Sequence, residues 1–277
     1  MTKIYVKAWG SVDRGNCEQE LHCEEAGISL LRLVGVEKFI DPKWQHSTRR
    51  AGRFSKLMLA AASECFRCSV QPLTEPGFNR AVFLATATGE SEDAQSMNHA
   101  IRNPNSHIIS PTHFVSIVSQ MALLALAAKI GTTKDVYALA MQRGGLAACL
   151  RLAARGLSTG RLDEAWVGVG EICTPSALEH STRISFSGSN EITSYHEGAA
   201  WIVLSRHGDK QSVTLEMSAS DQKIVPDLSR SYCPSDDATT LSRWLSDFQS
   251  NTLWSLHGSG MEFQFKKSLS ASGQITG

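Results

Sequence analysis

The chain has 277 residues, with 27 basic and 27 acidic side chains, and 42% of it is apolar. That is enough for one substantial core, or for two small lobes sharing one. Zero net charge argues against nonspecific nucleic-acid binding, which needs a basic surface to neutralise phosphates. Residues 1–9 are too few and too polar for a signal peptide. The longest apolar run, 121–128, is far below the length of a membrane span. The expectation is a soluble cytoplasmic protein.

Cys17, Cys23, Cys65, Cys68, Cys149, Cys173 and Cys233 make an odd count at irregular spacing, which points to reduced thiols rather than a disulfide framework. Cys65 and Cys68 form a CxxC, but they continue a helical run and have no second ligand pair, so a packing role is expected.

Along the chain, residues 3–7 alternate as a strand that runs into a turn at Gly10 and Ser11. The stretch 17–33 is polar and gives no clear period. Phe54, Leu57, Met58, Ala61, Ala62 and Cys65 follow the helical period and predict an amphipathic helix over 49–67. Residues 81–87 read as a buried strand and 93–102 as a helix stopped at Asn103 and Pro104. Thr112 caps a strongly apolar helix that ends at Gly131. A short apolar strand, 136–141, leads to Gly144 and Gly145, and a helix follows over 144–155. The segment 156–163 reads as a loop. Strands are expected at 165–170 and 199–205, with another at 212–217 next to the latter. A polar surface connection over 221–237 precedes a short helix at 241–248 and a strand at 252–256. Strands alternating with helices predict a layered α/β protein.

The strand–turn–helix at 136–147 has the form of an elbow. Such a turn presents one side chain at a helix N-terminus, where free N–H groups and the helix dipole stabilise an anion. Enzymes place Ser or Cys there; this chain has Gln142. A carboxamide has no ionisable proton near neutral pH and cannot form an acyl-enzyme. Cys149 lies almost two helical turns further on, inside the helix, and is expected to pack. Cys173 follows the strand ending at Glu171 and has no histidine placed to activate it. His99, His107, His113, His180 and His196 have no ligand spacing and read as surface residues, so no metal and no cofactor is expected. Gly168 and Gly170 lack the third glycine and following helix of a dinucleotide loop.

The order of these features resembles the N-terminal half of the β-ketoacyl synthases. Residues 49–62 are similar to that family's early helix, and 110–128 to the helix before its active-site strand. Residues 136–155 are similar to its nucleophile elbow, and 162–171 and 196–204 to the strands closing the half. Gln142-Arg143-Gly144-Gly145-Leu146 resembles the elbow of the chain-length factors, whose pattern is Gln-x-Gly-Gly-Leu. The short length resembles the compact members found in aryl polyene clusters. The resemblance implies a thiolase-like layered fold. Residues 1–210 would form the N-terminal half and 211–277 a truncated C-terminal part of the same domain.

It also implies a noncatalytic subunit of a type II ketosynthase heterodimer. The partner would be a catalytic ketosynthase that takes acyl and malonyl chains from acyl carrier protein (ACP). In this family the strand before the elbow and the segment preceding it face the partner. Phe114, Ile117, Val118, Met121 and Tyr137 are therefore the candidate tunnel or interface residues. His257, with Gly258 and Gly260, resembles the first histidine motif of ketosynthases. The second is only echoed at 273–277, with Gln274 in place of His. The alternatives are malonyl-ACP decarboxylation through His257, or a purely structural partner.

Overall fold

The computed structural model describes residues 3–25, 28–49, 51–69, 73, 76–103, 121–132, 135–141, 144–175, 194–208, 213–219, 231–232, 241–242, 245–246, 253–258 and 261–267. Its strands are β1 (Ile4–Val12), β2 (Gln19–Glu25), β3 (Ile28–Leu33), β4 (Arg80–Thr86), β5 (Val136–Ala140), β6 (Glu164–Glu171), β7 (Ser194–His196), β8 (Gly198–Ser205), β9 (Val213–Ala219), β10 (Ser231–Tyr232), β11 (Leu253–Gly258) and β12 (Met261–Lys266). Its helices are α1 (Pro42–Thr48), α2 (Arg53–Cys68), α3 (Ser91–Arg102), α4 (Met121–Ile130) and α5 (Gly145–Ser158).

Eight strands form one sheet in the order β11-β12-β9-β1-β8-β6-β4-β5. The β5–β4–β6 side is parallel, and every pairing from β6 to β11 is antiparallel. Strands β4, β6 and β8 are buried along their whole length, which explains their unbroken apolar sequence. Successive side chains still divide between two cores. Ala81, Phe83 and Ala85 face α5, while Val82 and Leu84 join α2 and α4 on the other side. The helical residues Leu241 and Leu245 pack with Phe263 and Phe265 in the α5 core. The result is a helix–sheet–helix sandwich, with the C-terminal strands extending the same sheet.

Several expectations are corrected. Gly10 makes no turn: β1 runs through it to Val12. The glycine is there because α2 crosses the strand at this point, and an added Cβ would lie 2.5 Å from the Cys65 nitrogen. The stretch 17–33 forms the β2–β3 hairpin, which joins β7 and β10 in a second, four-stranded sheet. Its polar character fits a sheet whose outer strand, β2, is largely exposed. The polar connection 221–237 contributes β10 to that sheet, paired with β7. Strand β9 lies beside β1 rather than β8, because β1 already occupies that edge of β8. The helix α5 runs on to Ser158, three residues into the expected loop.

Candidate functional site

The elbow is built on the edge strand of the large sheet. Among the described residues strand β5 pairs only with β4, in parallel register from Val82↔Val136 to Thr86↔Ala140. Its last bond is made by the Met141 N–H, which donates to the Thr86 carbonyl at 3.0 Å. Gly144 caps α5 with φ +69°, the left-handed conformation that favours glycine. Gly145 lets the helix start against β4: a Cβ there would lie 2.6 Å from the Ala85 Cβ. The two glycines that follow Gln142 thus have separate physical roles, one in turning the chain and one in close packing.

Gln142 itself lies outside the described residues, as do Phe114, Ile117 and Val118. Met121 opens α4, and its side chain is likewise outside them. Tyr137 is described: its ring stacks on Phe83 and it is 41% exposed. Its neighbours Ala138 and Ala140 are exposed as well. The edge strand therefore presents an uncharged apolar sequence, Val-Tyr-Ala-Leu-Ala, and one side of its backbone pairs with no strand among the described residues. On α4, Leu124 is also exposed.

His257 lies in β11, opposite Glu262 of β12; its side chain is outside the described residues. Strand β11 is the far edge of the sheet from β5. Seven strand spacings separate the two edges, roughly 34 Å at about 4.8 Å each. His257 and the elbow strand of one chain do not converge.

Two acids that the sequence reading passed over lie near the C-terminal ends of β4 and β6. Glu171 is fully buried and accepts from the Ala87 N–H, from the Thr88 N–H at 3.4 Å and from the Thr88 hydroxyl at 2.9 Å. Burial pushes its carboxyl up to about 7, against these donors, which favour the charged form. Glu90, also buried, accepts from the Ser55 N–H at 2.9 Å and from the Ser55 hydroxyl, and so caps α2 from another element. Burial lifts its carboxyl to about 7 as well, again opposed by the Ser55 bonds. The available sequence signal was an acid at the end of an otherwise apolar strand.

A third buried acid, Glu197, is held by Arg53 in a two-pronged pair of 2.8 and 2.6 Å. Glu197 also accepts from the Leu33 and Cys173 N–H groups. A small cleft beside the pair is lined by Val36, Glu37, Lys56 and Leu57.

The thiols near the elbow are inert by environment. Cys149 is buried within α5, and burial pushes its thiol up to about 12. Cys173 is raised too, chiefly by burial, and its Sγ–H donates to the Tyr195 carbonyl. Cys65 is buried in α2 and contacts the Trp201 carbonyl, while Cys68 ends the helix exposed. His196 departs from the surface expectation: it is 1% exposed, because the junction of β7 and β8 lies between the two sheets' cores. His99 is exposed; His107, His113 and His180 lie outside the described residues. No cluster of three metal-ligating side chains and no helix long and apolar enough to cross a membrane occur among the described residues.

No protein-family model matches the sequence, and no curated protein matches it. Solved structures do resemble it. The ishigamide ketosynthase/chain length factor superposes with a TM-score of 0.57 at 14% identity, over 78% of this chain and 67% of that one. The complex of the ketosynthase ApeO with its chain length factor ApeC, from Xenorhabdus doucetiae, gives 0.54 at 13% identity, over 96% of this chain and 100% of that one. AntDE:AntF, a type II PKS acyl-carrier protein in complex with its ketosynthase, gives 0.68 at 11% identity, over 97% of this chain and 100% of that one. With its layered sheet and edge-strand elbow, the chain has the thiolase-like α/β fold of the ketosynthase and chain-length-factor structures.

Proposed function

We propose that this chain is a noncatalytic, chain-length-factor-type subunit of a type II ketosynthase heterodimer acting in the cytoplasm. The observation that carries the reading is the elbow: its strand, glycine turn and helix are in place, while the sequence supplies Gln142 where a nucleophile would stand. Without a thiol there, the subunit forms no acyl-enzyme. Cys149 cannot substitute, since it is buried within the helix and its thiolate is disfavoured. The catalytic Cys and the histidine pair then belong to the partner ketosynthase, which receives acyl and malonyl chains from ACP.

The exposed, uncharged edge strand β5 supports a partner on that side. An unpaired apolar edge is a liability that proteins cover. In this reading Tyr137, together with Phe114, Ile117, Val118 and Met121, contributes to the partner face and the wall of the acyl tunnel. Residues 1–210 act as the ketosynthase-like half, and 211–277 continue the same domain. The product class is an ACP-bound polyene or polyketide chain. Malonyl-ACP decarboxylation by the isolated chain is not favoured, because β11 carries His257 at the opposite sheet edge from the elbow strand.

The test is condensation in vitro with acyl-ACP, malonyl-ACP and the ketosynthase encoded nearest to this chain. Extension only when both proteins are present supports the reading. Undiminished extension by that ketosynthase alone contradicts it.

A further inference from the structure

Glu171 ends a strand that begins with Glu164, held by Lys7 and Arg80, and is apolar or glycine from Ala165 to Gly170; Glu171 is wholly buried and has no such cation among its described hydrogen-bond partners. A residue needed only to fill space at this point would be apolar too. The carboxylate instead faces a run of donors at the end of β4: the N–H groups of Ala87 and Thr88 and the hydroxyls of Thr86 and Thr88. The carbonyl of Thr86, one residue before that run, accepts the Met141 N–H. Among the described residues β5 pairs with β4 alone, and this is the last sheet bond seen at the exit of the edge strand.

We propose that Glu171 is the positioning residue of the elbow: it fixes the end of β4, and through the Thr86 carbonyl it fixes Met141, where β5 leaves the sheet. The inference rests on the reading of that exit as the elbow of a chain-length-factor-type subunit. Two N–H groups and two hydroxyls, on buried and half-buried residues, require an acceptor with several lone pairs, and a carboxylate supplies them. Glutamine has the same shape but offers one acceptor oxygen and turns an NH2 donor toward donors. The groups that face Glu171 are neutral: Thr86, Ala87 and Thr88 from β4 and its turn, and Gly198 from β8. The flanking acids Glu90 and Glu197 are engaged elsewhere, by Ser55 and Arg53. The carboxylate form holds all the donors, whereas the protonated form gives up acceptor capacity. Burial nevertheless costs the charge more than these bonds return, so the site as a whole favours the protonated form and its hold on Met141 loosens as Glu171 ionises.

The test is amide hydrogen exchange on the isolated full chain, read at Ala87, Thr88 and Met141 and corrected for the intrinsic pH dependence of exchange. In the unmodified chain, protection at these amides should fall between about pH 6 and about pH 8, because the closed site holds a proton that the opened site releases. In Glu171→Gln they should exchange about tenfold faster at the lower pH and lose that pH dependence, while Ile202 in β8 stays protected. Unchanged protection at Met141 overturns the proposal, and so does a loss shared equally by Ile202. If Glu171→Gln does not fold, Thr88→Val carries the test. It removes one donor to the carboxylate, so the pH midpoint of Met141 protection must move upward; an unmoved midpoint overturns the proposal. Since exchange is read without the partner, a failed Glu171 test leaves ketosynthase binding untouched, and a failed binding test leaves the Glu171 result standing.

Discussion

The ring of Tyr137 lies parallel to the ring of Phe83 across the β4–β5 pair, with 5.3 Å between centroids and 5° between planes. Phe83 is buried in the α5 core, while Tyr137 keeps 41% of its surface open. The stack anchors an edge strand that otherwise has little to hold it, and it leaves an apolar face available for burial.

Tyr137→Ala should therefore act mainly on assembly. Losing the stack costs the folded chain about 1 kcal/mol. If the exposed face is an aromatic anchor at the interface, affinity for the ketosynthase should fall by about tenfold or more. Titration calorimetry against the ketosynthase checks this, with thermal unfolding of the variant alone as the control. Unchanged affinity would remove Tyr137 from the interface.

The two buried acids set a pH dependence with a definite sign. Glu90 and Glu171 have carboxyls raised from 4.5 to about 7, chiefly by burial. Between those values the folded chain holds protons that the unfolded chain has released. Stability is therefore greatest below about pH 4.5 as far as these groups are concerned, and it falls as pH rises through about 7. Each acid accounts for about 3 kcal/mol across that window. Glu90→Gln keeps an acceptor for Ser55 and removes the ionisation, so the decline should shrink by about half. Urea unfolding at several pH values measures the slope, and an unaltered slope would show that Glu90 does not titrate there.

Gly10→Ala should destabilise the chain by about 1–3 kcal/mol, the usual cost of forcing atoms into a filled site. The added carbon would meet the Cys65 nitrogen at 2.5 Å and the Ala61 carbonyl oxygen at 2.7 Å, both backbone atoms of α2 that cannot turn aside. Denaturant midpoints give the comparison. A neutral substitution would mean that α2 can slide away from β1.

Gln142→Cys should not yield a self-sufficient condensing enzyme, because a thiol alone lacks the histidines that decarboxylate malonyl-ACP. His257 cannot supply that function within the same chain, since β11 and β5 bound opposite edges of the sheet. Gln142→Ala should change product length or complex yield only modestly. Product analysis with and without the ketosynthase separates these outcomes; condensation by the cysteine variant alone would contradict this assignment.

The central strands were legible in the sequence because β4, β6 and β8 are apolar or glycine between their end residues. The helix α2 was legible from its single apolar stripe. The β2–β3 hairpin was not, since its outer strand is solvated and its bulge between Leu21 and Cys23 breaks the alternation. Gly10 was misread because a glycine that admits a crossing helix and a glycine that makes a turn look alike in sequence. Gly144 and Gly145 stand at the start of α5, where the sequence has a turn running directly into a helix. Glu171 and Glu90 were not found, because their partners are backbone N–H groups and hydroxyls brought together only by the sheet. Likewise, only the strand order reveals how far apart β5 and β11 lie.

The most direct test of the central claim is the native mass of this chain co-expressed with the nearest encoded ketosynthase, with a tag on this chain only. A one-to-one complex is the result predicted here. A homodimer of this chain that leaves the ketosynthase behind would contradict it.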